Sequence, residues 1–454
     1  MSAALPFSTR LIQKYDLSGP RYTSYPTALE FSADIDNSAF KAAALTRTGN
    51  FSLYVHIPFC HKLCYYCGCN KVVSNSSDRA QRYLTSLRQE INARAKLFRG
   101  RRVQHLHLGG GTPSYLTQTQ MSELISGLRE AFDFVDDAEL GIEIDAREVD
   151  EGYLSHLYSL GFNRLSIGVQ DTDSQVQEAI NRPQSTQHIA NLVVAAKTLG
   201  FKSVSVDLIY GLPRQTERTF SQTLEDVLAM SVDRVSLFSY AHMPSRFKAQ
   251  RLIASNELPD AQLKLTLMAL AITKLTEAGM VEIGMDHFAK PEDELAIAAQ
   301  NGRLTRNFQG YTDHGAIDLL GLGVSAISQV GAVICQNMKE LAEYHEAVAK
   351  MDVAVERGVV LSSEDELRGA VIQAIMCQHK VDKIAIAQAF GIDFDDYFAA
   401  ELLQLVELEK DGLLTLEPDC IRIWFEHRLL VRRVAMVFDA YLTEQATQRF
   451  SRII

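Results

Sequence analysis

Four of the chain's seven cysteines stand within ten residues of one another. In FSLYVHIPFCHKLCYYCGCN (51–70) they are Cys60, Cys64, Cys67 and Cys69, spaced C-x3-C-x2-C-x-C. Thiols this crowded do redox or metal chemistry. A structural disulfide is disfavoured, because the cysteine count is odd and the N-terminus MSAALPFSTRLIQKYD has no secretory pattern. A thioredoxin-like pair would use Cys64 and Cys67 and leave Cys60 without a task. Structural zinc closes with four tetrahedral ligands, usually as two separated pairs. No second C-x2-C or histidine pair follows, and His56 or His61 would complete only a cramped cage. A [4Fe-4S] cubane fits better. Three thiolates on C-x3-C-x2-C reach three irons and leave the fourth without a nearby protein ligand. An open position is what a catalytic metal site keeps. Cys69 follows Cys67 too closely to reach another corner without strain. Cys60, Cys64 and Cys67 are therefore assigned as ligands, and Cys69 as a neighbour of undefined task. Cys335, Cys377 and Cys420 lie among apolar residues and are expected in the core.

A loop of thiols needs a frame. Short apolar runs recur along the chain, each followed by an amphipathic stretch: FSLYVHI (51–57), VQHLHL (103–108), LGIEID (140–145), RLSIGVQD (164–171), SVSVDLIYGLP (203–213), RVSLFSYAH (234–242) and MVEIGMDHF (280–288). RYLTSLRQEINARAKLF (82–98) and QHIANLVVAAKTLGF (187–201) are two of the helical stretches. Alternation of this kind predicts βαβ units on a parallel sheet. Six or seven units predict a partial or complete TIM-like (β/α) barrel, with a doubly wound open sheet as the alternative. Most runs end in polar or glycine residues: His56, Gly109-Gly110-Gly111-Thr112, Glu143 and Asp145, Gln170 and Asp171, Asp207, Tyr240 and His242. In a βα barrel these ends converge on the mouth that carries the chemistry.

The barrel is expected over residues 51–360. Residues 1–50 are expected to form an entry segment with an extended arm at GPRYTSYPTALEF (19–31). Residues 361–454 are expected to form a small, mainly helical, winged-helix-like domain. Its ten basic and sixteen acidic residues, net −6, do not suit phosphate contact. The whole chain carries −11, so nucleic acid is not an expected partner. The pairs Arg101-Arg102 and Arg432-Arg433 are read as solvated faces. No apolar run is long enough to span a membrane, and a cytoplasmic monomer is expected.

C-x3-C-x2-C after a first barrel strand, with Tyr66 before the third cysteine and GGGTP at 109–113, resembles the radical S-adenosylmethionine (SAM) enzymes. The resemblance implies that the open iron binds SAM, and that the reduced cluster cleaves it to a 5′-deoxyadenosyl radical. YTSYPTA (22–28), YVHIPFCHKLCYYCGCNK (54–71), LHLGGGTP (106–113), NRLSIGVQD (163–171), DLIYGLP (207–213), MDHFA (285–289), NFQGYT (307–312) and LLGLGVSAIS (319–328) narrow it. These segments resemble the branch that decarboxylates porphyrinogen propionates in haem biosynthesis. The implied substrate is coproporphyrinogen III, two of whose propionates become vinyl groups of protoporphyrinogen IX. The implied cofactors are one [4Fe-4S] cluster and two SAM molecules. The implied partners are a reducing electron donor protein and an electron acceptor.

Matched by motif, the first SAM would touch Tyr54, Gly110, Glu143, Ala241 and Ile327. The second would touch Tyr66, Gly111, Thr112, Gln170, Arg182 and Asp207. The chain departs from the branch at Ala146, where proline is more common, and at Leu108, where an aromatic is. Arg21, Lys62 and Arg182 are the cations expected to meet substrate carboxylates. A haem-binding chaperone and a radical SAM methyltransferase remain alternatives on the same barrel. The YTSYPTA arm and Cys69 speak against the first.

Overall fold

The computed structural model describes residues 9–442 except 16, 36, 316 and 351–353, together with residue 450. The chain forms two compact units that interleave along the sequence, whereas the sequence suggested consecutive stretches. One unit comprises residues 31–259 and 317–360; the other comprises residues 1–30, 260–316 and 361–454.

The first unit is built on a sheet whose strands are β1 (Phe51–Ile57), β2 (Arg102–Gly110), β3 (Asp133–Ile144), β4 (Arg164–Gln170), β5 (Ser203–Tyr210), β6 (Arg234–Ser239), β7 (Asp318–Leu322), β8 (Ile327–Val330), β9 (Val333–Asn337) and β10 (Val355–Val360). Its order in this unit is β10-β9-β8-β7-β1-β2-β3-β4-β5-β6. From β7 through β6 all neighbours are parallel, which requires crossover connections. Helices Ser77–Ala95, Gln118–Ala131, Glu151–Ser159, Thr186–Leu199 and Glu217–Ala229 lie in those crossovers. Side-chain caps start them: Ser76, Thr117, Asp150, Ser185 and Thr216 each accept a hydrogen bond from the first turn. Gly200, at φ 99°, ends Thr186–Leu199 in the left-handed conformation that glycine adopts without a steric penalty.

The result is a partial barrel, because β10 and β6 do not pair with each other. The seventh expected run, MVEIGMDHF, folds as an antiparallel pair, Val281–Gly284 with His287–Ala289, and not as one strand. Asp318–Leu322 takes the other side of β1, and β8 to β10 follow as an antiparallel meander.

Side chains alternate across the sheet. Leu53, Val55, Leu106, Leu108, Ile142, Ile144, Ile167 and Val206 are buried. Tyr54, His107, Glu143, Ser166 and Asp207, on alternate positions, are part-exposed. One face therefore packs, and the other stays polar.

Two buried ion networks lock the packed side. Arg101 is not on a solvated face. It is buried, and its guanidinium meets Asp318 Oδ2 at 2.7 Å and the Gly49 carbonyl at 2.9 Å, joining the start of β7 to the loop before β1. Arg102, its neighbour, is exposed as expected. Arg94, fully buried, lies 3.5 Å from Glu90, donates to Asn337 Oδ1 at 3.0 Å and stacks 4.2 Å over the Phe40 ring. Glu90 accepts from the Gly323 amide, Asn337 and Tyr344, each at 2.7 Å.

The second unit carries helices Ser363–Gln378, Lys383–Phe390 and Ala399–Lys410, and a three-stranded antiparallel sheet with Cys420–Ile423 between Lys380–Asp382 and Leu414–Leu416. The hairpin was expected; the third strand, only three residues long, was not. The arm is irregular over residues 17–27, and its Tyr22 and Tyr25 are buried in one apolar core with Val371, Ile375, Phe398 and Phe438. Arg432 corrects a second surface assignment. It is buried, and its guanidinium donates to the carbonyls of Pro20, at 2.8 Å, and Gly19. Without side chains to spare, a Gly-Pro turn offers carbonyls, and a buried arginine satisfies them. Cys335, Cys377 and Cys420 are buried as expected. No helix among the described residues is long and apolar enough to cross a membrane.

Arg94→Leu is expected to lower the unfolding free energy by about 3–5 kcal/mol, because it strands the Glu90 charge without its cation. Urea denaturation followed by circular dichroism would measure the loss.

Candidate cluster and SAM site

The thiol loop lies in the sheet unit, immediately after β1. Phe59–Cys60 pairs in parallel with Val72–Val73, which closes the loop at its base. The Val72 amide donates to the Pro58 carbonyl at 2.7 Å, and the Ser74 amide to the Cys60 carbonyl at 3.0 Å. His56 ties the loop's end to the strand. Its Nε2 lies 2.9 Å from the Asn70 carbonyl, and its Nδ1 lies 3.1 Å from the Tyr54 hydroxyl. Burial pushes its pKa down, so the ring is neutral. The carbonyl needs Nε2–H, which leaves Nδ1 to accept from Tyr54. His56 is thus a brace and not a ligand.

Three consecutive residues grip the middle of the loop. The Ile180 carbonyl accepts from the Tyr65 amide at 3.0 Å. Asn181, in the left-handed conformation at φ 55°, donates its side-chain amide to the Leu63 carbonyl at 2.7 Å. Arg182 Nη1 donates to Cys64 Sγ at 3.5 Å and to Asp145 Oδ2 at 3.0 Å. Arg147 Nη2 reaches the same Cys64 sulfur at 3.6 Å and the same Asp145 oxygen at 2.6 Å. Burial works against the charge on Asp145, but Arg147 and Arg182 hold its carboxyl below the usual range. One carboxylate between two guanidiniums leaves a net positive charge beside Cys64. Cys60 receives a neutral contact instead, from the Thr112 hydroxyl at 3.4 Å.

The glycine strip at the end of β2 exists because nothing larger fits. A Cβ on Gly110, at φ 121°, would stand 2.7 Å from the His56 ring. One on Gly111 would stand 2.6 Å from the Pro58 carbonyl oxygen, backbone that cannot move aside. Glu143 occupies the adjoining space. Its Oε2 accepts from the Gly110 amide at 3.3 Å, and its Oε1 lies 3.3 Å from His107 Nε2. The His107 ring stacks on Tyr54 at 6.2 Å and 14°.

The remaining sequence-predicted residues gather around this centre. Gly168 leaves room for Gln170 and Arg182, whose side-chain nitrogens come within 2.9 and 3.0 Å of where its Cβ would be. Gln170 itself holds φ 68°, a strained conformation for a residue with a side chain. Asp207 pairs with Gly168 in register and accepts from Ser166 at 3.3 Å. Gln250, buried, donates to the carbonyls of Tyr66, at 3.0 Å, and Ala241, at 3.1 Å. Ile327 starts β8, and its carbonyl lies against Gly321, the register neighbour of Tyr54.

Three expectations change. Asp171 does not face the mouth; it is fully buried, accepting from Gln215 at 2.6 Å and Thr223 at 2.9 Å, and burial pushes its carboxyl up to about 6. Arg21 is in the other unit, where it is paired with Asp286. Arg182 is committed to Asp145, Cys64 and the Gly168 carbonyl, the last at 2.7 Å, so it is no free cation either. Lys62 stays exposed on the loop. Arg147 and Gln250 were not foreseen. The D-x-R spacing, with Asp145 capping the Arg147 amide at 3.1 Å, is the local signal for the first; Gln250 has none.

The residues fit a cubane. Three free thiols stand on one loop, and the Cys64 sulfur accepts from both Arg147 and Arg182, a donor set suited to an anionic cluster. Cys67 lies beside Cys69, whose hydrogen bond is the leading influence lowering its pKa to about 6. Arg147 Nη1 and Arg182 Nε, buried beside Cys64, have no hydrogen-bond partner among the described residues. They are donors left to be satisfied beside the sulfur.

Gly111→Ala tests the strip. Far-UV circular dichroism is expected to stay native while iron retained after anaerobic reconstitution falls by about tenfold or more.

Comparison with known proteins agrees with this chemistry. Residues 54–227 match the Radical SAM superfamily model, and residues 361–423 match the HemN C-terminal domain. Oxygen-independent coproporphyrinogen III oxidase of Salmonella typhimurium is 51% identical over 446 residues, covering 98% of each chain. The enzyme of that name from Pseudomonas aeruginosa is 46% identical over 450 residues, again with 98% of each chain covered. The solved structure of coproporphyrinogen III oxidase (HemN) from Escherichia coli, described as a radical SAM enzyme, superposes with a TM-score of 0.93 at 48% identity. It covers 96% of this chain and all of its own. At such identity over nearly its full length, the chain belongs to the oxygen-independent coproporphyrinogen III oxidases of the radical SAM superfamily.

Proposed function

We propose that the protein converts two propionate side chains of coproporphyrinogen III to vinyl groups, giving protoporphyrinogen IX with loss of two carbon dioxide molecules. The observation that carries this reading is the three-thiol loop that follows β1 of a partial barrel, with Cys60 and Cys64 buried and the loop gripped by Ile180, Asn181 and Arg182. Cys60, Cys64 and Cys67 would hold three irons of a [4Fe-4S] cluster. When bound, the reduced cluster and SAM supply a 5′-deoxyadenosyl radical that removes a hydrogen from the propionate β-carbon.

The chain's own residues bind, orient and exclude. Glu143 uses its carboxylate to fix the Gly110 amide and His107, and its side chain is still 44% exposed. It therefore keeps lone pairs for an ammonium or hydroxyl group, which suits it to the first SAM together with Tyr54, Gly110, Ala241 and Ile327. A second SAM is supported by the grouping of Gln170, Arg182 and Asp207 around Gly168, with Tyr66, Gly111 and Thr112 beside the loop. The positive charge shared by Arg147, Arg182 and Asp145 favours a negatively charged cluster and any nearby carboxylate. Tyr65 and Tyr66 pack against an apolar wall of Val176, Ile180, Ile209, Leu212, Tyr240 and Ile253, which keeps water from one side of the loop.

Free thiols at such a site suit a reducing cytoplasm. A one-electron donor protein and an electron acceptor complete the reaction, and a monomer carries the whole site in one unit.

Anaerobic reconstitution with iron and sulfide, then incubation with dithionite, SAM and coproporphyrinogen III, is expected to yield 5′-deoxyadenosine and protoporphyrinogen IX. A cluster that forms without either product would overturn the reading, and S-adenosylhomocysteine among the products would point to methyl transfer instead. In the same preparation, replacing Cys60, Cys64 or Cys67 by Ser is expected to abolish the visible and paramagnetic signals of the cluster. Cys69→Ser is expected to retain them.

A further inference from the structure

A cluster that must be reduced before each cycle needs a surface at which its reductant docks. The sheet unit has one face suited to this. Helices Ser77–Ala95 and Leu341–Lys350 border a groove of about 460 Å³ lined by Arg79, Arg82, Thr85, Ser86, Leu341, Ala342 and His345. Arg79 and Arg82 are exposed, and neither makes an ion pair among the described residues. In a chain of net charge −11, where most arginines described above are neutralised, these two guanidiniums bring positive charge to the groove beside a histidine, with Asp78, Glu343 and Glu346 exposed elsewhere on the same helices. His345 feels it: burial first, then the charges of Arg82 and Arg79, push its pKa down.

The groove is also close to the thiol loop. Its long helix begins at Ser77, and the Ser74 amide, three residues earlier, is bonded to the Cys60 carbonyl. A chain of rings leads inward. The His345 ring stands 6.4 Å from Tyr83, edge to face at 74°. Tyr83, fully buried, stands 5.6 Å from Phe59 at 83°, and Phe59 precedes Cys60. The Tyr83 hydroxyl donates to the His56 carbonyl at 2.5 Å, which fixes it at the base of the loop. Val73, opposite Cys60 in the short parallel pair, is exposed and offers an apolar contact on the same segment.

We propose that the Arg79/Arg82/His345 groove is the docking surface for a small acidic one-electron carrier protein that reduces the cluster. The inference rests on the radical SAM reading of the thiol site. One electron leaves the reduced carrier and enters the oxidised cluster; no bond forms or breaks. Carriers of this kind bind through small, transient interfaces, where opposite charge governs encounter more than residence. The net negative charge of the rest of the chain turns an acidic carrier away from other faces and so orients it on this one.

The test uses full-length reconstituted enzyme, with photoreduced flavodoxin as the carrier probe and dithionite as the small-molecule reductant. Stopped-flow bleaching of the cluster reads the rate. In R79E/R82E the second-order rate constant with flavodoxin is expected to fall by about tenfold or more at low ionic strength. The deficit is expected to shrink as salt is raised. Reduction by dithionite, and the 5′-deoxyadenosine it supports, are expected to match the parent protein. K202E/R218E, which removes two exposed cations elsewhere on the same unit, is expected to react at the parent rate. An unchanged flavodoxin rate in R79E/R82E overturns the docking surface, as does an equal loss in both double variants. Inorganic phosphate binding to the groove while the flavodoxin rate ignores the arginines overturns it too. A parent enzyme that binds a cluster yet forms no 5′-deoxyadenosine with dithionite overturns the reading of the thiol site, which is a separate result.

Discussion

Everything at this site depends on holding a loop that cannot hold itself. CHKLCYYCGCN has few apolar residues with which to pack alone, and its thiols range from buried Cys60 and Cys64 to exposed Cys69. The molecule supplies the missing order by backbone hydrogen bonds from outside. His56 fixes one end, the Val72–Val73 pairing fixes the base, and Ile180, Asn181 and Arg182 fix the middle. These contacts give the ligand-bearing loop a protein frame on three sides.

The same economy explains the residues around it. Asp145 is shared by Arg147 and Arg182, and both guanidiniums converge on one sulfur. A lone buried arginine there would carry an uncompensated desolvation cost; two arginines on one carboxylate reduce that cost and keep one positive charge in excess. Hydrogen bonds and charge at the sulfurs are among the levers that set the potential of an iron–sulfur centre. Gly110 and Gly111 serve a steric end instead, letting the tip of β2 lie against His56 and Pro58.

Much of this was legible in the sequence. The cysteine spacing marked out the loop, and the alternation of short apolar runs with amphipathic stretches located the first six strands of the sheet, β1 to the residue. MVEIGMDHF misled because a short apolar run does not reveal whether its neighbours are parallel or antiparallel. The buried arginines were illegible for a related reason. Arg101 and Arg432 look like surface charge, and only the fold brings Asp318 to one and the arm's carbonyls to the other. Gln250 reaches Tyr66 across 184 residues of sequence and ties it to Ala241, and no local pattern announces such a contact.

The interleaving of the two units bears on how the chain is made. β1 cannot gain its neighbour β7 until residue 318 has left the ribosome, and the arm's tyrosines wait for residues 361–442. Synthesis from the N-terminus therefore leaves an unpaired strand edge and the arm's tyrosines exposed for most of translation, and the four thiols exposed until residues 180–182 have emerged. Such edges pair wrongly and such thiols oxidise, so the nascent chain depends on rapid synthesis, holding factors or reducing surroundings more than the finished protein does.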